Sequence, residues 1–152
     1  MPTISVTELI PVLQTAIGPT ILISGVGLLL LTMTNRLGRT IDRARVLGRE
    51  LPGASETERA KYREQLKIIW RRARLLRVAL ALAAMSALSA AILIITLFFT
   101  ALLRWESAWL ISALFILCMA SLIGSLVAFI RDINQALAAL KLELSGNKPS
   151  DA

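Results

Sequence analysis

The chain has 152 residues, of which 56% are hydrophobic, and its formal net charge is +7. Its mean hydropathy of +0.69 is too high for a water-soluble domain, so the composition excludes that class. Thirteen of the 17 Lys and Arg residues lie between Arg36 and Arg77, a segment called here the basic connector. Because no fold signature of a nucleic-acid-binding protein accompanies this charge, we expect no nucleic-acid partner.

The N-terminal region predicts a short helix over residues 6–17, lying at the outer face of a membrane. Gly18 and Pro19 then form a helix break, and Pro19 suits the first position of a new helix. The first transmembrane helix runs over residues 19–35, about 25 Å at 1.5 Å per residue, which just spans a bilayer. A single kinked helix from Thr7 onward fits the same residues equally well.

The basic connector, residues 36–77, predicts two amphipathic helices joined by a tight turn. The first continues the transmembrane helix and ends at Pro52-Gly53. Ser55 lies three residues before Glu58, which is the spacing of a capping box at a helix start. The second helix has an apolar seam at alternating four- and three-residue steps, formed by Tyr62, Leu66, Ile69, Ala73 and Leu76. We therefore expect an antiparallel helical hairpin.

Two further transmembrane helices are predicted over residues 78–103 and 107–130, followed by a cytoplasmic helix over 131–144. Small residues recur four apart in both spans, which favours close helix pairing. Basic residues are retained on the cytoplasmic side, so the N-terminus lies outside and the C-terminus inside. Trp105 and Trp109 then mark the outer interface. The fold class is an all-α integral membrane protein with three transmembrane helices and a cytoplasmic antiparallel hairpin between the first and second.

The sequence offers no pattern for catalysis. It contains no histidine, no Gly-rich phosphate-binding loop, and no cluster of metal ligands. The single cysteine, Cys118, lies in an apolar run and is interpreted as a packing residue. We therefore expect no enzymatic activity, no cofactor and no metal site. The predicted spans contain no ionisable group other than this thiol, so we expect no ion-coupled transport.

Polar and small residues in the first span favour a pore. The predicted pore or neck residues are Thr20, Ser24, Gly27, Asn35, Arg36 and Arg39. The carbonyl end of a short outer helix would favour a cation, whereas a ring of arginines would favour an anion, so the two features conflict on selectivity. The alternative is that the Thr, Ser and Gly residues are packing residues and that the arginines bind anionic lipid headgroups.

Asp42 is the only acid in the densest part of the arginine run. On a helix it can reach arginines three residues away, but an exposed pair of this kind contributes only a few tenths of a kcal/mol. We therefore expect an ion pair between helices or subunits that involves Asp42 with Arg39 and Arg43.

One run within this region is specific enough to suggest a family. It contains Asn35, Arg36, Arg39, Asp42, Arg43 and Arg45 at fixed spacing. This run resembles the signature of a bacterial family catalogued as domain of unknown function 2721, over residues 7–140. The resemblance implies a small, multi-pass bacterial inner-membrane protein without an established activity. The topology alone is also similar to that of small membrane-protein insertases, although the uncharged spans would not hydrate an insertase groove.

These features predict a homo-oligomer, because three spans enclose little volume and the small-residue stripes suit self-association. The leading functional hypothesis is a passive ion-conducting channel with a basic cytoplasmic vestibule. The first alternative is a non-conducting scaffold that binds anionic lipid headgroups or a protein partner through the basic connector. The second alternative is an insertase-like assembly factor.

Overall fold

The computed structural model describes residues 6–103 and 108–146, which are almost entirely helical. The elements are α1 (Val6–Glu50), a short 3-10 turn (Leu51–Gly53), α2 (Glu56–Leu103) and α3 (Ala108–Gly146). Each of these three α-helices is long and apolar enough to cross a membrane, as predicted for the three spans. Trp105 and the predicted outer turn lie outside the described residues.

The N-terminal region forms a single helix, the second of the two predicted alternatives, and the predicted helix break at Gly18 and Pro19 is wrong because α1 continues through both residues. The short helix over 6–17 and the span over 19–35 are therefore parts of one helix. Pro19 has no N–H for the carbonyl oxygen four residues before it. The Thr20 hydroxyl donates to a different carbonyl oxygen, that of Ala16, at 2.8 Å. Proline within a helix is tolerated more readily in membrane-spanning helices than in water.

The turn between α1 and α2 has the predicted chemistry. Ser55 precedes the first residue of α2, and its backbone N–H donates to the Glu58 carboxylate at 3.0 Å. The Ser55 hydroxyl donates to the same oxygen at 2.7 Å. These bonds lower the pKa of Glu58, with the hydroxyl contributing most. The Ser55 carbonyl accepts the N–H of Arg59 at 2.9 Å, so the helix begins at the predicted position.

The chain divides into two compact units, and the first contains α1 up to Thr32 with the parts of α2 and α3 between Leu80 and Ser125. Small residues of α2 are fully buried here, including Ala83, Ser86 and Ala90. The close pairing of α2 and α3 predicted from the small residues is confirmed by side-chain contacts. The Cys118 thiol lies 3.3 Å from the Ser86 carbonyl oxygen. A Cβ added at Gly124 would lie 3.3 Å from the end of the Leu82 side chain.

The second unit contains residues 33–79 together with α3 from Leu126 onward. Its core includes Met33 and Leu47 from α1 and Leu76 from α2, all buried. The other members of the predicted α2 seam are partly buried. The amphipathic pattern of the basic connector was therefore interpreted correctly. Most of its charged residues lie on the opposite, exposed side of the helices.

Candidate functional site

Five of the six predicted pore and neck residues lie on a part of α1 that the chain leaves exposed. They are Thr20, Ser24, Gly27, Asn35 and Arg39, called here the α1 face. At 3.6 residues per turn, Thr20, Ser24 and Gly27 of the first unit fall within about one sixth of the helix circumference, and Asn35 and Arg39 of the second unit lie about one turn apart. A Cβ added at Gly27 would meet nothing within 4 Å. Packing within this chain therefore does not require a glycine at that position.

The hydroxyl groups of the α1 face donate their protons back to the helix. Ser24 donates to the carbonyl oxygen of Thr20 at 3.3 Å. Thr32, close to the same face, donates to Leu28 at 3.0 Å. A hydroxyl that donates in this way keeps its oxygen lone pairs as acceptors. The exposed side of the helix therefore presents acceptors, which suit a cation better than an anion.

The N-terminal part of the α1 face borders an open apolar groove of about 300 Å³. Thr20 is the polar side chain in its lining, and the opposite wall includes Ile94 and Phe98 of α2.

The continuity of α1 also removes one predicted feature, the helix C-terminus near Gly18. Because no helix ends near Gly18, no helix C-terminus directs carbonyl groups toward the membrane interior.

The sixth predicted residue, Arg36, makes contacts within the bundle. Its side chain is 27% exposed, and its Nη2 atom lies 3.5 Å from Oδ2 of Asp132 on α3. Its guanidinium carbon lies 5.3 Å from the centroid of the Phe129 ring, within the range of a cation–π contact. Arg36 is therefore paired inside this unit, whereas Asn35 and Arg39 remain on the exposed neck.

Asp132 joins all three helices. Its side chain is fully buried, and its Oδ1 atom accepts a hydrogen bond from Nε of Arg72 on α2 at 3.5 Å. Arg72 is 25% exposed. The contact with Arg36 has no hydrogen-bond geometry, so Oδ2 has no hydrogen-bond partner among the described residues. A single buried carboxylate thus holds one arginine from α1 and one from α2. We call Arg36, Asp132 and Arg72 the charge cluster.

The charge cluster was not predicted from the sequence, because Asp132 was expected in a cytoplasmic helix beyond the third span. One signal was available. Arg36 is the first charged residue after the apolar run of α1, and Asp132 is the second after that of α3. The first and third spans cross in the same direction, so opposite charges just after their apolar runs lie at the same end of the bundle and are candidates for pairing. The burial of Asp132 has no signal in its neighbours, because Arg131 beside it is exposed.

Asp42 is placed differently from Asp132. It pairs with Arg45 of the same helix at 3.5 Å, and both side chains are about 70% exposed. Among the described residues no ion pair joins Asp42 to another helix, to Arg39 or to Arg43. Within the part of the chain that the structure describes, the ion pairs between helices are those of Asp132 with Arg36 and Arg72. A pair between Asp42 and another subunit stays a prediction.

The remaining basic residues of the connector form an exposed surface. Eleven of its 13 Lys and Arg side chains are exposed, and the other two, Arg36 and Arg72, belong to the charge cluster. Its five acids are exposed as well. The connector therefore keeps an excess of positive charge outside the bundle. Within the described ranges, no group of three or more His, Cys, Asp or Glu side chains is placed to hold a metal ion.

Comparison with known proteins places this arrangement in a family. No curated protein and no solved structure matches the chain. The sequence profile described as "Protein of unknown function (DUF2721)" matches residues 16–142, which include α1 from Ala16, all of the basic connector and every member of the charge cluster. Since this match covers well over half of the sequence, the chain belongs to the DUF2721 family of proteins of unknown function.

Proposed function

We propose that this protein is a homo-oligomeric membrane protein whose α1 helices line a passive path for ions. The observation that carries the proposal is the α1 face, which remains exposed although it bears polar and small residues. The hydroxyl groups of this face donate to their own backbone, but their oxygen lone pairs remain acceptors that water can satisfy and lipid cannot. Symmetric copies that turn this face toward a common axis would expose it to water.

The composition of the α1 face suits a gated path. Leu28 and Leu31 lie between its polar positions and are 69% and 60% exposed. Rings of such side chains would form an apolar constriction, which can close a pore by excluding water. Ser24 and Thr32 would place hydroxyl oxygens on either side of that constriction. No charged residue lies in α1 between Glu8 and Arg36, so ions would contact only uncharged groups along this part of the path.

The neck of the proposed path has one exposed arginine fewer than the sequence suggested, because Arg36 is engaged by Asp132. Its exposed charged side chains are Arg39, Asp42, Arg43 and Arg45, and Asp42 pairs with Arg45. The entrance therefore keeps a net positive charge. We place this entrance and the basic connector on the cytoplasmic side of a bacterial inner membrane, because basic segments between spans are retained there.

Ion flux through purified protein in liposomes tests the proposal. A single cysteine is placed at Gly27, on the α1 face, in a Cys118→Ser background. Serine keeps a donor for the Ser86 carbonyl oxygen that the thiol now contacts. The matched control places the cysteine at Ile123 of α3, which is 58% exposed. A charged thiol reagent is expected to reduce flux strongly in the Gly27→Cys protein and to leave the Ile123→Cys protein unchanged.

Two outcomes would count against conduction along α1. The first is that a folded oligomer carries no more flux than protein-free liposomes. The second is that the reagent acts equally on both cysteine variants, because the path would then not follow the α1 face.

A second candidate function is a non-conducting scaffold that binds anionic membranes, and the eleven exposed basic side chains favour it. Such charges attract anionic headgroups by about 1 kcal/mol each near the surface. Protein in phosphatidylcholine nanodiscs should then bind anionic vesicles, and Arg39→Gln with Arg43→Gln should weaken the binding. The control is Arg131→Gln, which removes an exposed charge outside the connector. Equal weakening by this control would argue against the connector as the binding surface.

A further inference from the structure

We propose that Arg36 and Arg72, held together by the buried Asp132, form a binding site for the phosphate of an anionic lipid headgroup. The proposal does not depend on whether the protein conducts ions. It concerns a defined pair of guanidinium groups, in contrast to the diffuse attraction of the exposed connector.

The net charge of the charge cluster favours an anion. The cluster contains two guanidinium groups and one carboxylate, so one positive charge is left over. Arginine stays protonated at any accessible pH, so the protein cannot remove this charge by titrating either guanidinium. A phosphate diester carries one negative charge and would balance it.

Both arginines of the charge cluster are accessible to a ligand from outside. Asp132 is fully buried, but the Arg36 and Arg72 side chains remain 27% and 25% exposed. Each guanidinium has five N–H donors, and the carboxylate contacts use one nitrogen of each. The exposed part of each group can therefore meet an acceptor from outside. Arginine forks match the oxygens of a phosphate in two-bond geometry.

Contacts within the protein already hold both arginine side chains in place. Arg36 lies over the Phe129 ring at 5.3 Å, and Arg72 is bonded through Nε to the buried carboxylate. Long flexible side chains normally lose rotamer freedom on binding, which lowers the affinity. Here both are already held within the folded unit. Asp132 thus acts as a positioning residue for an anion site without contacting the anion.

The charge cluster lies next to the ends of the uncharged runs, a position that favours a lipid headgroup over a soluble anion. Arg36 immediately follows the uncharged run of α1 and Asp132 lies close to that of α3. Arg72 is six residues before Val78, where the uncharged run of α2 begins, or about 9 Å at 1.5 Å per residue. Trp70 nearby on α2 is 69% exposed, as expected for a side chain at the headgroup level.

Native mass spectrometry of the purified full-length protein tests the site. The probes are phosphatidylglycerol, phosphatidylcholine and inorganic phosphate. Wild-type protein is expected to retain phosphatidylglycerol in preference to phosphatidylcholine. Arg72→Gln is expected to weaken that retention by about tenfold, the size of one lost charge-assisted hydrogen bond. Arg72→Lys, which keeps the charge but loses the fork, should fall between them. The control Arg74→Gln removes an exposed charge from the same helix.

Equal weakening by Arg74→Gln would overturn the proposal, because the lipid would then respond to diffuse charge. Binding of inorganic phosphate without preference for phosphatidylglycerol would overturn the assignment to a lipid. If the Arg72 variants fail to fold, the wild-type protein still decides. The NMR signal of the Arg72 Nε–H should shift when short-chain phosphatidylglycerol is added but not when the phosphatidylcholine analogue is added. Absence of that shift would remove the site.

Discussion

Replacing Asp132 with alanine removes the carboxylate that Arg36 and Arg72 share. Removing one partner of a buried ion pair usually costs about 3–5 kcal/mol, because the other charge is left uncompensated. Both guanidinium groups are about a quarter exposed, so water can partly solvate them. We therefore expect Asp132→Ala to lower the free energy of unfolding by about 3 kcal/mol, the lower end of that range.

Two further variants separate charge from size. Asp132→Asn keeps an acceptor for the Nε–H of Arg72 but loses the charge, so about 2 kcal/mol should be lost. The triple change of Asp132→Leu, Arg36→Met and Arg72→Met replaces the cluster by apolar side chains. Because a buried ion pair contributes little net stability, this variant should return to within about 1 kcal/mol of the wild type.

The free energies are measured by SDS-induced unfolding in mixed micelles, followed by far-ultraviolet circular dichroism. A loss below about 0.5 kcal/mol for Asp132→Ala would refute the reasoning, because changes of that size are typical of exposed sites. A triple variant no more stable than Asp132→Ala would also refute it, since the cost would then not arise from unpaired arginines.

Three other predictions concern the helix contacts, the turn and the topology. Gly124→Ile should lower the free energy of unfolding by about 1–3 kcal/mol by overpacking the contact with α2, whereas Gly124→Ala should be tolerated because a flexible side-chain end opposes it. Ser55→Ala should raise the pKa of Glu58 toward its ordinary value in a carbon-13 NMR titration. Since folding lowers this pKa, the stabilisation is present above the unfolded-state pKa and is lost as the pH falls through the folded-state pKa. A cysteine at Gly53, in a Cys118→Ser background, should react with an impermeant thiol reagent only after the inner membrane is permeabilised. An unchanged pKa, a stable Gly124→Ile protein, or labelling of intact cells would contradict the respective prediction.

The sequence was sufficient for features that depend on local chemistry and periodicity. Uncharged runs predicted three spanning helices, and Ser55 with Glu58 predicted the start of α2. The apolar seam of the connector predicted which side of its second helix is covered, with Leu76 buried at its end. The four-residue spacing of small residues predicted the close approach of α2 and α3 at Gly124.

The sequence was insufficient where long-range contacts or compensation decide the outcome. Pro19 usually ends a helix in water, but α1 continues through it, and proline is tolerated in helices that span a membrane. Asp42 and Asp132 are both acids next to arginines in sequence. Only the arrangement of three helices determines that Asp132 is buried and that Asp42 is exposed. Neighbouring residues cannot distinguish the two cases.

The most direct test of the account is the identity of the helix nearest to the axis of the purified oligomer. Spin labels at Gly27 on the α1 face, or at Ile123 on α3, report the distance between equivalent positions in different subunits by pulsed electron paramagnetic resonance. The account predicts a shorter distance between subunits for Gly27 than for Ile123. A shorter distance for Ile123, or the absence of any distance between subunits at either position, would contradict it.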